Sequence, residues 1–170
     1  MKIKSLVVSA ILIAVGIIIP LFSPIRILIE PASFTLASHV AIFIGMFISP
    51  SVGVAVALGT TFGFFLSTPL VVALRAFSHV IFVLIGGILL KKNPKLIDNV
   101  MFVIGISIIH ALAEVVVVSF FYFGGNSSGF VTSVLGLVGL GTFVHSIVDY
   151  YLAYFVAKRL GAAGYEKLFQ

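Results

Sequence analysis

Residues 70–95 read LVVALRAFSHVIFVLIGGILLKKNPK, an apolar run broken only by Arg75, Ser78 and His79 that stops at a cluster of lysines around a proline. At a rise of about 1.5 Å per helical residue, residues 70–90 measure about 31 Å, the thickness of a bilayer's hydrocarbon core. Pro69 suits the opening of such a helix, because the N–H it lacks is one that a helix start leaves unpaired anyway. The run is continuous and has no period-two alternation, so it reads as a membrane-crossing helix rather than a barrel strand.

Similar runs lie on both sides of it. Breaks at Pro20 and Ser23-Pro24, at Ser49-Pro50, at Ser67-Thr68-Pro69, at the lysine cluster and at Gly124-Gly125-Asn126-Ser127-Ser128-Gly129 divide the chain. The expected helices are approximately 5–22, 34–48, 52–66, 70–90, 97–123 and 130–157, the second and third being short. The fold class this predicts is an all-α integral membrane protein, a six-transmembrane-helix bundle forming one membrane domain over 1–170.

Composition supports lipid as the solvent. Of 170 residues, 61% are hydrophobic and 9% charged, against about half and a quarter in soluble domains. A water-soluble chain of this size buries only about 70% of its unfolded surface, which would leave much of the apolar excess wet. The net charge of +5 forms no basic stripe interleaved with aromatics, so it does not point to nucleic acid. The absence of cysteine excludes disulfides and thiolate metal sites. Lys2 and Lys4 ahead of an apolar run imitate a secretory signal, but the run reaches Pro20 without a small-residue cleavage site and reads as a first membrane helix.

Lysine and arginine set the orientation. With six spans and a cytoplasmic N-terminus, Lys2, Lys4, Lys91, Lys92, Lys95, Lys158, Arg159 and Lys167 fall inside, whereas the outer loops hold Arg26. Both termini are therefore expected in the cytoplasm. An odd number of spans would split the basic residues between the two sides.

Ionisable side chains inside a membrane are costly and face the bundle interior, where they pair or serve function. Three pairs sit four residues apart, and hence on one helix face each: Arg75 and His79, His110 and Glu114, His145 and Asp149. His39 stands near the start of the second segment. Counting helix rise places Arg75, His79, His39 and Glu114 toward the outer side, around a cavity that opens outward. Arg26 and Glu30, in a loop stiffened by Pro24 and Pro31, are placed to gate it. His110, His145 and Asp149 read first as bracing hydrogen-bond groups, and Arg75 with Glu114 as a bridge that can also meet a ligand.

The stretch from Phe22 to Arg26, then Glu30-Pro31-Ala32-Ser33-Phe34-Thr35-Leu36-Ala37-Ser38-His39, with Arg75-Ala76-Phe77-Ser78-His79 and the pair Ala10 and Ala14, resembles the S-components of energy-coupling factor (ECF) transporters, most closely the niacin type. The resemblance covers nearly the whole chain. It implies a substrate-binding subunit of an ECF-type ABC importer in the cell membrane, capturing a vitamin or precursor outside. It also implies that Ala10 and Ala14 dock on a transmembrane EcfT-type scaffold subunit, which is joined to two cytoplasmic ATPases. No cofactor is expected in this chain, since it has no nucleotide-binding loop and ATP is used by the partners. For a nicotinate anion, Arg75 would supply forked donors to the carboxylate, with His79, His39 and Glu114 nearby and Phe34, Phe77, Tyr122 or Phe143 to stack. Related cargoes such as hydroxymethylpyrimidine or pyridoxine remain open alternatives, as does a stand-alone ion or metal transporter with its path lined by histidines. An intramembrane metal enzyme is disfavoured, because His110 and Glu114 lack the second helical histidine of the zinc-protease motif, and no metal is assigned. A purely structural small bundle is the remaining reading.

Overall fold

The computed structural model describes residues 3–29, 31–122 and 129–161. Its helices are α1 (Ile3–Phe22), α2 (Val40–Ile48), α3 (Pro50–Ser67), α4 (Leu70–Lys92), α5 (Val100–Tyr122) and α6 (Gly141–Leu160), the last continuing a π-helical stretch, Phe130–Leu140. A hairpin of β1 (Arg26–Ile29) and β2 (Ala32–Thr35) joins α1 to α2, and its antiparallel register sets Arg26 opposite Thr35 and Ile29 opposite Ala32. The bundle carries apolar side chains on its surface as well as in its core. Phe62, Phe65, Phe120 and Phe155 are exposed, whereas Arg75, His79, His110, Glu114 and Asp149 are buried, the arrangement that lipid favours.

Local chemistry sets the boundaries. Ser49 leaves the α2 helix in extended geometry, and its hydroxyl accepts from Val52 N at 3.2 Å, so it caps α3 with Pro50 in the first turn. Asn99 does the same for α5, accepting from Met101 N at 2.9 Å and Phe102 N at 3.1 Å. That cap, preceded by a 3-10 turn over Pro94–Asp98, is why α5 begins at Val100 and not at 97. Lys91 and Lys92 close the last turn of α4, where the helix dipole favours cations.

The reading of the second segment needs correction. Its first part, expected as helix from 34, is strand, and the loop expected from Ser23 to Ser33 holds the rest of the hairpin. Ala37 then takes a left-handed backbone angle, φ 64°, a reversal that ends the strand before the helix can begin. The remaining helix has nine residues, about 14 Å, and cannot cross about 30 Å of hydrocarbon by itself. Among the described residues four helices are long and apolar enough to do so: Pro50–Ser67, Leu70–Lys92, Val100–Tyr122 and Phe130–Leu160, while α1 contributes a shorter apolar stretch, Leu6–Phe22.

The short helix is instead the hub of the bundle. Every residue from Ala41 to Ile48 is buried, and α2 packs on α1, α3, α4 and α6. Its Phe43 ring lies 5.3 Å from Phe82 of α4 and 5.1 Å from Tyr150 of α6, and the Tyr150 hydroxyl donates to Ile97 O at 2.7 Å. Irregular backbone at membrane depth is tolerated where protein encloses it, which is the environment of α2 and its N-terminal turn.

On the other side α3 presents Gly59 and Gly63 to α1. A Cβ at Gly63 would fall 2.5 Å from Ile17 O and 2.9 Å from Ile17 Cα, so the two backbones touch in the manner of small-residue membrane interfaces. Ala10 and Ala14 point away from this contact and are exposed.

Candidate functional site

Arg75 lies in the second turn of α4, beneath the hairpin. Its Nε and Nη2 donate to Glu114 Oε2 of α5 at 3.0 and 2.5 Å, Nη2 also reaches Thr142 Oγ1 of α6 at 3.3 Å, and Nη1 donates to Pro31 O at 2.8 Å. Thr142 Oγ1 in turn donates to Glu114 Oε2 at 2.5 Å. Three helices and the hairpin tip are thus joined at one guanidinium. Both charged side chains are almost wholly enclosed, so removing either would leave a buried charge unpaired.

The other carboxylate oxygen, Glu114 Oε1, faces histidines. It lies 3.0 Å from His79 Nε2 and 3.4 Å from His110 Nε2. His79 Nε2 is 3.3 Å from His39 Nε2, and the opposite nitrogen of that ring, His39 Nδ1, is 3.0 Å from Asp149 Oδ2. Asp149 also accepts the His39 backbone N–H at 3.0 Å and has His145 Nε2 at 3.3 Å. The residue before α2 is thereby held to α6 by its backbone and its ring together, which explains how a helix without a side-chain N-cap starts at this position.

These groups border a narrow cleft under the hairpin, lined by Arg75, His79, His39, Glu114, Phe34 and His145 among others, with an interior of about 10 Å³, room for about one water. Phe34 fits between Gly141, where a Cβ would lie 2.5 Å from its Cζ, and His145, whose ring is 5.8 Å away edge-on. Gly141 therefore permits β2 to sit this close to α6. Ser33 Oγ is buried with no hydrogen-bond partner among the described residues, a polar group available at the cleft wall.

The structure brings together the four residues expected to gather, Arg75, His79, His39 and Glu114. Of the expected aromatics, Phe34 lines the cleft, Phe77 is exposed on the outer surface, and Tyr122 packs in the apolar cluster that also holds Phe34 but is outside the cleft lining. Arg26 sits on β1 opposite Thr35, outside the cleft lining, and Glu30 lies outside the described residues. His145 and Asp149, expected as bracing hydrogen-bond groups, belong to the same polar chain as the cleft. Sequence reading missed Thr142, Ser33 and Phe64, which also line it. The sequence signal for Thr142 was its place three residues before His145, on the same face of α6.

An apolar exterior and a buried charged network beside a polar cleft under the hairpin define a membrane protein with a polar interior. The chain is 40% identical over 162 residues to "Niacin transporter NiaX" of Lactococcus lactis subsp. cremoris (strain MG1363), an alignment that covers 89% of this chain and 72% of that protein. It belongs to that family, the niacin-type S-components, and is a multi-pass protein of the cell membrane. No family model and no solved structure matches the chain.

Proposed function

We propose that the chain is the substrate-binding subunit of an ECF-type importer and that its cargo is niacin, held as the nicotinate anion in the cleft between the hairpin and α4, α5 and α6. The observation that carries this reading is the 40% identity with the niacin transporter, and the cleft supplies matching chemistry. Arg75 has five N–H donors, of which the hairpin carbonyl of Pro31 takes one on Nη1 at 2.8 Å. Lifting the hairpin removes that acceptor and frees both Nη1 hydrogens for a carboxylate. The Pro31 carbonyl thus stands in for a cargo oxygen in the closed cleft. His79 and His39 border the place of the ring, Phe34 can cover it, and Glu114 holds the guanidinium plane. Arg26 and Glu30 belong to the segment that must move.

In this proposal the chain traverses the membrane with both termini cytoplasmic, so that Lys91, Lys92, Lys95, Lys158 and Arg159 share the inner side. Its partners are a transmembrane scaffold and two ATPases, which supply the energy of uptake. The exposed Ala10 and Ala14 face of α1 is where the scaffold docks.

Purification in detergent followed by identification of the co-purified small molecule tests the cargo. Nicotinate should bind and nicotinamide, which lacks the anion, should bind at least about tenfold more weakly, the loss of a charge-assisted contact. Equal affinities would remove Arg75 from cargo recognition. Uptake into liposomes containing this chain alone should be negligible, and robust uptake there would overturn the subunit reading. The double substitution Ala10→Leu with Ala14→Leu should leave niacin binding unchanged in titration calorimetry yet abolish uptake by the complete complex, whereas loss of both activities would refute a docking role for this face.

A further inference from the structure

Beneath the cleft, His39, His79, His110 and Glu114 each offer one ligand atom, and these atoms lie within 4.8 Å of one another. We propose that they form a closed four-ligand site for a divalent transition-metal ion of the zinc type, three imidazoles and one carboxylate set in the floor of the cleft. This goes beyond cargo binding and does not depend on which cargo the cleft takes.

Geometry is the first argument. An ion bound tetrahedrally at about 2.0–2.1 Å holds its ligand atoms about 3.4 Å apart. The separations here are 3.3 Å for His39 Nε2 to His79 Nε2, 3.0 Å for His79 Nε2 to Glu114 Oε1 and 3.4 Å for His110 Nε2 to Glu114 Oε1. Bringing the remaining pairs to that spacing needs side-chain shifts of no more than about an ångström or so.

The second argument is hydrogen-bond accounting. His110 is fully buried, and its Nε2, 3.4 Å from Glu114 Oε1, makes no well-aligned hydrogen bond there, although buried polar groups normally do. His79 Nε2 faces both Glu114 and His39, and a neutral ring has at most one proton there to share between them. An ion among the four atoms gives each its partner.

The surroundings have the form of a metal site's outer shell. His39 turns its second nitrogen to the Asp149 carboxylate at 3.0 Å, the arrangement that fixes the tautomer of a metal-bound histidine. Glu114 has its other oxygen fixed by Arg75 and Thr142, which leaves Oε1 facing His79 and His110, with the His39 ligand atom within 4.8 Å. With four protein ligands the site is of the structural kind: it ties α4 and α5 to the turn before α2, and it leaves Arg75 as the principal charged contact for cargo.

Cobalt titration of the detergent-purified protein, prepared without a histidine tag and in metal-free buffer, is the test. One Co²⁺ per chain should bind with the intense visible absorption of tetrahedral coordination, and Zn²⁺ should displace it. A weak spectrum of octahedral type, or no stoichiometric binding, would overturn the site whatever the variants do. His110→Ala should weaken binding by at least about 100-fold, more than the loss of an outer-shell partner. His110→Cys should restore it and add a thiolate-to-cobalt charge-transfer band, a signature that a packing role for His110 would not produce. Binding that survives His110→Ala but disappears in His145→Ala would put the ion in the neighbouring trio of His39, His145 and Asp149 and refute the assignment.

Discussion

Arg75→Ala is expected to abolish niacin capture and to lower the stability of the bundle by about 3–5 kcal/mol, the usual consequence of stripping one partner from a buried ion pair. Glu114 would keep Thr142 as a donor but would lose both guanidinium bonds in a site closed to water. Thermal unfolding in detergent and radiolabelled niacin binding measure the two effects. They are separable, because Arg75→Lys keeps a positive charge beside Glu114 and should return much of the stability, while it loses the forked donors that a carboxylate needs and should leave binding impaired. Wild-type niacin affinity in Arg75→Ala would end the role assigned to the guanidinium.

Gly63→Leu should also be strongly destabilising, for a different reason. The new Cβ alone would meet the Ile17 carbonyl oxygen at 2.5 Å and Ile17 Cα at 2.9 Å, and neither can rotate away as a side chain would. Relief requires α1 to move off α3. Overpacking commonly costs about 1–3 kcal/mol, and a full leucine against backbone belongs at or beyond the upper end. The expected result is little folded protein extracted from membranes and a sharply lowered melting temperature. Gly105→Leu is the control, since a Cβ there meets nothing within 4 Å, and it should fold normally. A well-folded Gly63→Leu protein would show that α1 is not seated on α3 as described.

Much of the site was readable because hydrocarbon makes polar groups conspicuous. Arg75, His79, His110, Glu114, His145 and Asp149 stood out as ionisable residues at helical spacing, and the cost of placing them in lipid required them to turn inward. The helix ends at Ser49-Pro50 and Pro69 were legible for an equally local reason, since proline stops or opens a helix wherever it falls. Asn99 was less visible, because a cap acts only once the following residues have become helical.

The hairpin was not legible. Phe34 and Thr35, the end of β2, read as the start of a membrane helix because an apolar run follows them, and their strand character comes from pairing with β1 and from Phe34 entering the space left by Gly141. Nor could periodicity distinguish a nine-residue buried helix from one end of a longer span. Asp149, 110 residues away in the chain, holds the backbone N–H of His39 just ahead of the first residue of α2, and no local pattern encodes a contact of that range.

By itself the sequence determined the solvent, the helical class, the placement of basic residues at helix ends and the small set of polar side chains that had to face inward, because each of these follows from transferring one residue or one short run from water to lipid. Only the tertiary structure decided that these side chains meet in one network, that Glu114 divides its two oxygens between a guanidinium and two imidazoles, and that a strand covers them. Those outcomes depend on the register of helices against one another, and register is set by packing contacts such as Gly63 on Ile17 and Phe43 between Phe82 and Tyr150, whose partners lie far apart in the chain.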